Sequence, residues 1–202
     1  QPEKTNLATL HTLNCNYQLV DNEEKLSQFL QNIVTQSVLS LDTETTSTDP
    51  IRAELVGMSF SYAENQAFYV PVPADRSEAQ KIVDRFRPVF ENREIMKVGQ
   101  NIKYDMLVLA NYGVQLQGPL FDTMVAHYVL QPELRHNMDY LAEIYLNYQT
   151  IHIEELIGPK GKNQGNMRDL PPASVYEYAC EDADVTLKLK NKLEKELDEN
   201  NV

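Results

Sequence analysis

Apolar residues recur along this chain with two different periods, and the change of period divides it. Near the start, residues 17–20 (YQLV) fit a short strand. Asp21 or Asn22 then caps a helix whose apolar positions Leu26, Phe29, Leu30 and Ile33 fall on one face. Residues 37–44 (SVLSLDTE) fit a strand, and two further β-rich runs follow at 54–62 and 66–72, separated by the turn-prone AEN. Pro71 and Pro73 end that sheet region. Ahead of all this, residues 1–16 show no period and are expected to form a loose arm.

Helical spacing returns at 77–90 through Ile82, Val83, Phe86 and Phe90. The short apolar run 95–98 reads as a buried strand punctuated by Gly99, and 101–112 as a helix stopped by Gly113. From Asp122 onward the pattern is almost wholly helical, over roughly 122–130, 138–147 and 174–200, with a Gly-, Lys- and Asn-rich loop at 158–169. Neither an internal repeat nor an inter-domain linker is visible. Strands early and helices late, with a mixed sheet, predict one α/β domain over residues 17–202.

Composition narrows the picture. With 202 residues, 42% of them hydrophobic, the chain can bury one sizeable core. No apolar run approaches the length that crosses a bilayer, so no membrane association is expected. The first residues lack the basic start and apolar stretch of a signal peptide, and the initial Gln hints at an excised fragment. Cys15 and Cys180 are too few for a disulfide framework and lack metal-ligand spacing. A monomer in a reducing cytoplasm is the expectation. The net charge of −12 argues against a broad basic groove for duplex DNA. It does not exclude nucleic-acid chemistry, because carboxylates can be metal ligands and bound cations reverse the local field.

Certain acids stand at meaningful spacings. Asp42 and Glu44 are two apart at a strand end, so both carboxylates point to one face, with Val38 and Ser40 on that face and Leu39 and Leu41 on the other. Two adjacent acids repel, a conflict that a hard divalent cation resolves. Taken alone, the pair reads more simply as two exposed loop acids. Asn101 and Asp105 are four apart at a helix start, where Asn101 could equally be a cap. Tyr178 and Asp182 are also four apart on a helix, and Tyr178 alone would be read as core packing beside Val175, Ala179 and Leu187. Asp184 faces elsewhere and reads as a surface or capping acid. Together the pieces are more specific. One strand end offers two acids and two separate helices offer one each, the set that a two-metal phosphodiesterase needs, with oxygen-only ligands that suit Mg²⁺ or Mn²⁺ over zinc.

Asp-Thr-Glu-Thr at 42–45, Asn-Ile-Lys-Tyr-Asp at 101–105 and Tyr-Ala-Cys-Glu-Asp at 178–182 resemble the three motifs of the DEDD nucleases, tyrosine branch. The intervening text, including KVGQNIKYD, FDTM, the Arg-His-x-Met-Asp run at 135–139, GKNQ and EDADVTL, is similar to the proofreading exonuclease domain of bacterial DNA polymerase I over about residues 17–200. The resemblance implies a ribonuclease H-like fold, a mixed sheet flanked by helices. It implies a 3′→5′ exonuclease acting on single-stranded DNA 3′ ends, with two divalent ions, Mg²⁺ or Mn²⁺. Asp42, Glu44 and Asp182 would hold the first ion. Asp42 would bridge to the second, which Asp105 would reach directly or through water. Tyr178 and Glu44 would orient the attacking water, and Thr43 and Thr45 would lie beside the metals. Gln100, Asn101, Tyr104 and Arg135 would touch the terminal nucleotides, consistent with a guanidinium fork for phosphate and a ring for stacking. The partner implied is a polymerase domain of the same parent chain, absent here, toward which the last helix would lead; the location implied is the bacterial cytoplasm, at the nucleoid.

Departures and alternatives complete the reading. Relatives carry apolar wedges where this chain has Thr48 and, more mildly, Ile153. A ribonuclease D-like RNA-trimming enzyme shares the motifs, and a catalytically silent structural module shares the fold. His127, His136 and His152 lack zinc spacing and read as structural. GPKGK is no P-loop, and Lys160 and Lys162 belong to a solvated loop. Asp122 reads as a helix N-cap, and Cys180 as a small buried residue.

Overall fold

A computed structural model describes residues 7–202. Six strands and seven α-helices follow one another as β1 (Asn16–Leu19), α1 (Glu23–Ile33), β2 (Val38–Thr45), β3 (Leu55–Ala63), β4 (Gln66–Pro71), α2 (Arg76–Phe90), β5 (Met96–Gly99), α3 (Ile102–Ala110), β6 (Leu120–Asp122), α4 (Thr123–Leu130), α5 (Met138–Leu146), α6 (Ile153–Ile157) and α7 (Pro172–Asn200). The strands form one mixed sheet in the order β1-β4-β3-β2-β5-β6. Its centre is an antiparallel β2–β3–β4 meander, and β1, β5 and β6 add in parallel. The α/β class and the mixed sheet agree with the pattern read from the chain.

Local chemistry explains the main elements. Asn22, not Asp21, caps α1 by accepting the Lys25 N–H. Asp75 does the same for α2 through the Glu78 N–H. The β3–β4 turn is closed by Asn65 in the left-handed conformation (φ 63°), which asparagine tolerates. Alternation along β2 sends Leu39 and Leu41 to one face, where they pack with Phe29 and Ile33 of α1 and Val83, Phe86 and Phe90 of α2. A stack of phenylalanines fills this layer: Phe60 and Phe86 lie nearly parallel at 5.0 Å, and Phe29 stacks on Phe68 at 4.5 Å with a tilt of 26°.

The opposite face of the sheet is covered mainly by α7, with Met167 and part of α6 packed beside it. Val175, Ala179 and Cys180 pack on Val56, Ala67 and Tyr69, so Cys180 is the small buried residue expected. Further along, Val185, Leu189 and Leu193 pack with Ala126 of α4 and Leu141 and Ala142 of α5. Small residues on both sides, Ser40, Ser59 and Ser61 on the sheet and Ala179 and Ala183 on the helix, are fully buried and let the helix lie close.

Four details differ from the expectations. The arm is not loose throughout: Ala8 exchanges backbone hydrogen bonds with Asn147 and Gln149, while residues 1–6 lie outside the described residues. The short elements β6 and α6 were not legible, since three to five residues carry too little periodicity. The helix expected from Asn101 begins one residue later, with Asn101 in the left-handed region and its side chain capping nothing. Asp184 is fully buried rather than at the surface. Its carboxylate accepts from the Tyr17 hydroxyl at 2.7 Å, the Asn65 N–H at 2.8 Å and Lys188 Nζ at 2.7 Å, tying β1, the β3–β4 turn and α7 together.

Candidate active site

The site grows out of the end of β2. Ladder bonding to β5 stops at Ser40, while β3 continues alongside, so the far end of β2 has one open edge. The β2–β3 register then slips: Glu44 pairs with Gly57, but Thr45 pairs with Leu55. Such a bulge turns the strand and re-aims its side chains, and none was visible in the sequence. Gly57 is required here. A Cβ on it would lie 2.2 Å from the Tyr69 hydroxyl, whose ring crosses over the glycine beside Glu44.

From this strand end Asp42 and Glu44 face α7, one turn of which presents Tyr178 and Asp182. Oxygens from Asp42, Glu44 and Asp182 all lie within 4.8 Å of one another. Asp105 comes from the other side. Its Oδ1 accepts from the Thr43 N–H at 3.0 Å and the Thr43 hydroxyl at 2.6 Å, filling the edge that β5 leaves open. Glu44, Asp105 and Asp182 are each less than a tenth exposed. Among the described residues, no lysine or arginine forms a salt bridge with any of the four.

Four acids collected without a countercharge resist ionisation. Burial pushes the Asp42 carboxyl up to about 7, opposed by the Thr43 N–H. Burial raises Glu44 well above the usual range, helped by the charges of Asp42 and Asp105. Burial likewise raises Asp105 and Asp182, with Asp42 the largest charge acting on each. Tyr178 lines one cavity with Asp42, Glu44 and Asp182, and burial, then the charges of Asp182, Glu44 and Asp42, drive its phenol up and keep it protonated. Glu44 Oε1 is buried without a hydrogen-bond partner. An orphaned carboxylate oxygen within a set of hard oxygen donors is the arrangement a divalent cation satisfies, so the residues fit one.

A cleft of about 700 Å³ opens over these groups. Asp42, Thr43, Glu44, Thr45, Tyr178 and Asp182 form its floor, and Asn101 and Tyr104 one wall. The Tyr104 hydroxyl is fixed between Thr45 Oγ1 and the Ser47 carbonyl, leaving the ring as part of the wall. Both residues at the wedge positions, Thr48 and Ile153, line the same cleft. Ile157, Lys160, Gln164 and Asn166 close the far wall, and Asn166 Nδ2 donates to the Thr46 carbonyl at 3.2 Å, joining that loop to the end of β2. The sequence marked the loop through its GKNQ text but gave no signal for Asn166.

Two residues expected near the substrate stand elsewhere. Arg135 is exposed and not part of the cleft lining. Gln100 turns away: its Nε2 donates to the His136 carbonyl at 2.7 Å and its Oε1 accepts from Thr123. The histidines read as structural hold no metal-like cluster among the described residues. His127 is buried, 2.7 Å from the His136 ring nitrogen, and His152 meets Asp139 at 3.2 Å.

Comparison with known proteins adds the following. A protein-family description, "3'-5' exonuclease", matches residues 17–198. The DNA polymerase I of Pseudomonas aeruginosa is 37% identical over 191 residues, 90% of this chain and 21% of that protein. The chain thus spans about a fifth of the length of the curated relatives it matches. Among solved structures, Brucella melitensis NrnC with bound Mg²⁺ superimposes with a TM-score of 0.68 at 20% identity, covering 94% of this chain and 84% of that one. Escherichia coli RNase D superimposes with a TM-score of 0.70 at 20% identity, covering 92% and 46%. These two likenesses concern the fold.

Proposed function

Since this chain belongs to the 3′–5′ exonuclease family, as the domain that its relatives carry within DNA polymerase I, we propose that it hydrolyses the terminal phosphodiester of single-stranded DNA 3′ ends at the Asp42–Glu44–Asp182 cluster. The observation that carries the site assignment is the buried, partnerless Glu44 oxygen among three acids within 4.8 Å. Asp42, Glu44 and Asp182 would hold one Mg²⁺ or Mn²⁺, and Asp42 with Asp105 a second. Divalent ions so bound acidify water and neutralise charge developing on the phosphate. NrnC, similar in fold, has been solved with Mg²⁺.

The chain's own groups divide the remaining work. Tyr178 keeps its proton, and with Glu44 it orients a water toward the phosphate. The Tyr104 ring, pinned through its hydroxyl, offers a stacking face to an unpaired terminal base. Asn101 and Thr45 supply polar contacts to the last sugar and phosphate. Arg135 and Gln100 would touch the terminal nucleotides only after rearrangement, since Arg135 lies outside the cleft lining and Gln100 is held by His136 and Thr123. In the relatives the domain sits within a far longer chain, and the partner we infer is a polymerase that delivers frayed 3′ ends to this cleft.

Fold likeness to RNase D favours one alternative, RNA as substrate. A single experiment addresses both. End-labelled single-stranded DNA and RNA of one sequence are digested with Mg²⁺ by the unsubstituted protein and by Asp42→Ala and Asp182→Ala. Stepwise release of mononucleotides from the DNA 3′ end, lost in both variants, is the expected result. Preference for RNA moves the protein to the alternative. Undiminished cleavage by both variants means that the site lies elsewhere.

A further inference from the structure

Among the described residues, one carboxylate outside the cleft accepts more hydrogen bonds than any other. Asp122 ends β6, where it pairs in register with Gly99 of β5. As expected, it caps α4: Oδ1 accepts from the Met124 N–H at 2.9 Å and the Val125 N–H at 3.3 Å. The same oxygen also accepts from the Asn101 N–H at 3.0 Å, and Oδ2 accepts from the Ile102 N–H at 3.0 Å. It therefore caps α3 as well, which has no side-chain cap of its own. The negative charge suits the N-terminal ends of two helices at once.

Everything on the near wall of the cleft hangs from the corner so held. Asn101 stands there with φ 62°, a left-handed turn that asparagine accepts and that the bond from its N–H to Asp122 holds in place. Gly99 leaves no room for slack, because a Cβ would lie 2.8 Å from Ile102. The neighbouring Thr123 hydroxyl holds the Gly99 carbonyl at 3.3 Å and the Gln100 amide. Tyr104 and Asp105 follow within the first turn of α3, and Asp105 meets β2 through a single residue, Thr43.

We propose that Asp122 is a positioning residue for the exonuclease reaction: by capping α3 and α4 with one carboxylate, it sets the Gly99–Ile102 corner and thereby the placement of Asn101, Tyr104 and Asp105 over the cleft. The inference rests on the active site assigned above. It predicts an effect on metal response and turnover that a helix cap serving stability alone would not have.

Asp122→Ser separates the two roles. Serine is as good an N-cap as aspartate, so α4 keeps its cap, but one short hydroxyl cannot also reach the Asn101 and Ile102 N–H groups. The isosteric Asp122→Asn replaces the acceptor at one oxygen and stands in should the serine variant fail to fold. Helix content by circular dichroism, the Mg²⁺ concentration at half-maximal thermal stabilisation, and kcat and KM on a single-stranded oligonucleotide are measured, with Asp42→Ala alongside. The expected result is native helix content, a raised Mg²⁺ midpoint and kcat down by about tenfold or more. A folded variant whose midpoint and kcat both stay within about twofold of the parent overturns the inference. If Asp42→Ala is inactive in that same experiment, the active-site assignment survives; if it too is fully active, the assignment itself has failed.

Discussion

Single residues decide the chemistry, and Tyr178 is the cleanest to isolate. Its phenol faces three carboxylates and stays protonated, so Tyr178→Phe removes a hydroxyl and nothing else. We expect kcat to fall about tenfold to a hundredfold, while the melting temperature shifts by no more than about 4 °C, the worth of one hydrogen bond. Single-turnover kinetics beside a thermal melt would check this, and an unchanged rate would remove Tyr178 from the reaction. At this scale the sequence was most informative where spacing on a regular element forces a shared direction. Asp42 and Glu44 on a strand, and Tyr178 and Asp182 on a helix, do meet in the cleft. It was least informative where direction depends on partners. Gln100 is drawn off by His136 and Thr123, and Asp184 is buried because Tyr17, Asn65 and Lys188 satisfy it. Lys188 is one helical turn from Asp184, but the other partners lie 23 to 167 residues away, beyond any local pattern.

Elements place those residues, and the pairing of β3 with β4 beside the site shows how tightly. The Tyr69 ring, 1% exposed, occupies the space above Gly57 and cannot swing aside. Gly57→Ala is therefore expected to destabilise the protein by about 1–3 kcal/mol through overpacking. It should also slow cleavage, because the displaced ring adjoins Glu44. Denaturant unfolding and an activity assay on the same preparation test both halves, and full stability would mean that the ring yields. The long elements were legible because their apolar faces repeat over several turns, as with Phe29 and Ile33 on α1 or Phe86 and Phe90 on α2. The bulge between Glu44 and Thr45 was not, since a one-residue slip changes pairing without changing composition.

The whole molecule holds a cluster of acids inside a chain of net charge −12, and its stability should reflect that. A carboxyl whose folded pKa lies above its unfolded value keeps a proton that the unfolded chain has released. Without metal, stability is then highest below about pH 4, as far as these groups decide it, and is lost as pH rises through about 7, where Asp42 titrates. In EDTA the melting temperature at pH 8 should lie on the order of 5 °C below that at pH 5.5. Mg²⁺ at pH 8 should restore the difference, and Asp42→Asn should shrink it; calorimetry showing no dependence on pH or Mg²⁺ would speak against an uncompensated cluster. The length of α7 has a mechanical corollary. Asp182 and Asn200 ride on one unbroken rod, about 27 Å apart at 1.5 Å per residue. A pivot of about 2° shifts one end against the other by about 1 Å, a misalignment that can cost two orders of magnitude in rate. Strain applied at the distal turn would thus reach Asp182 as leverage, resisted by the packing of Leu189 and Leu193 on α4 and α5, instead of dissipating along a flexible tether.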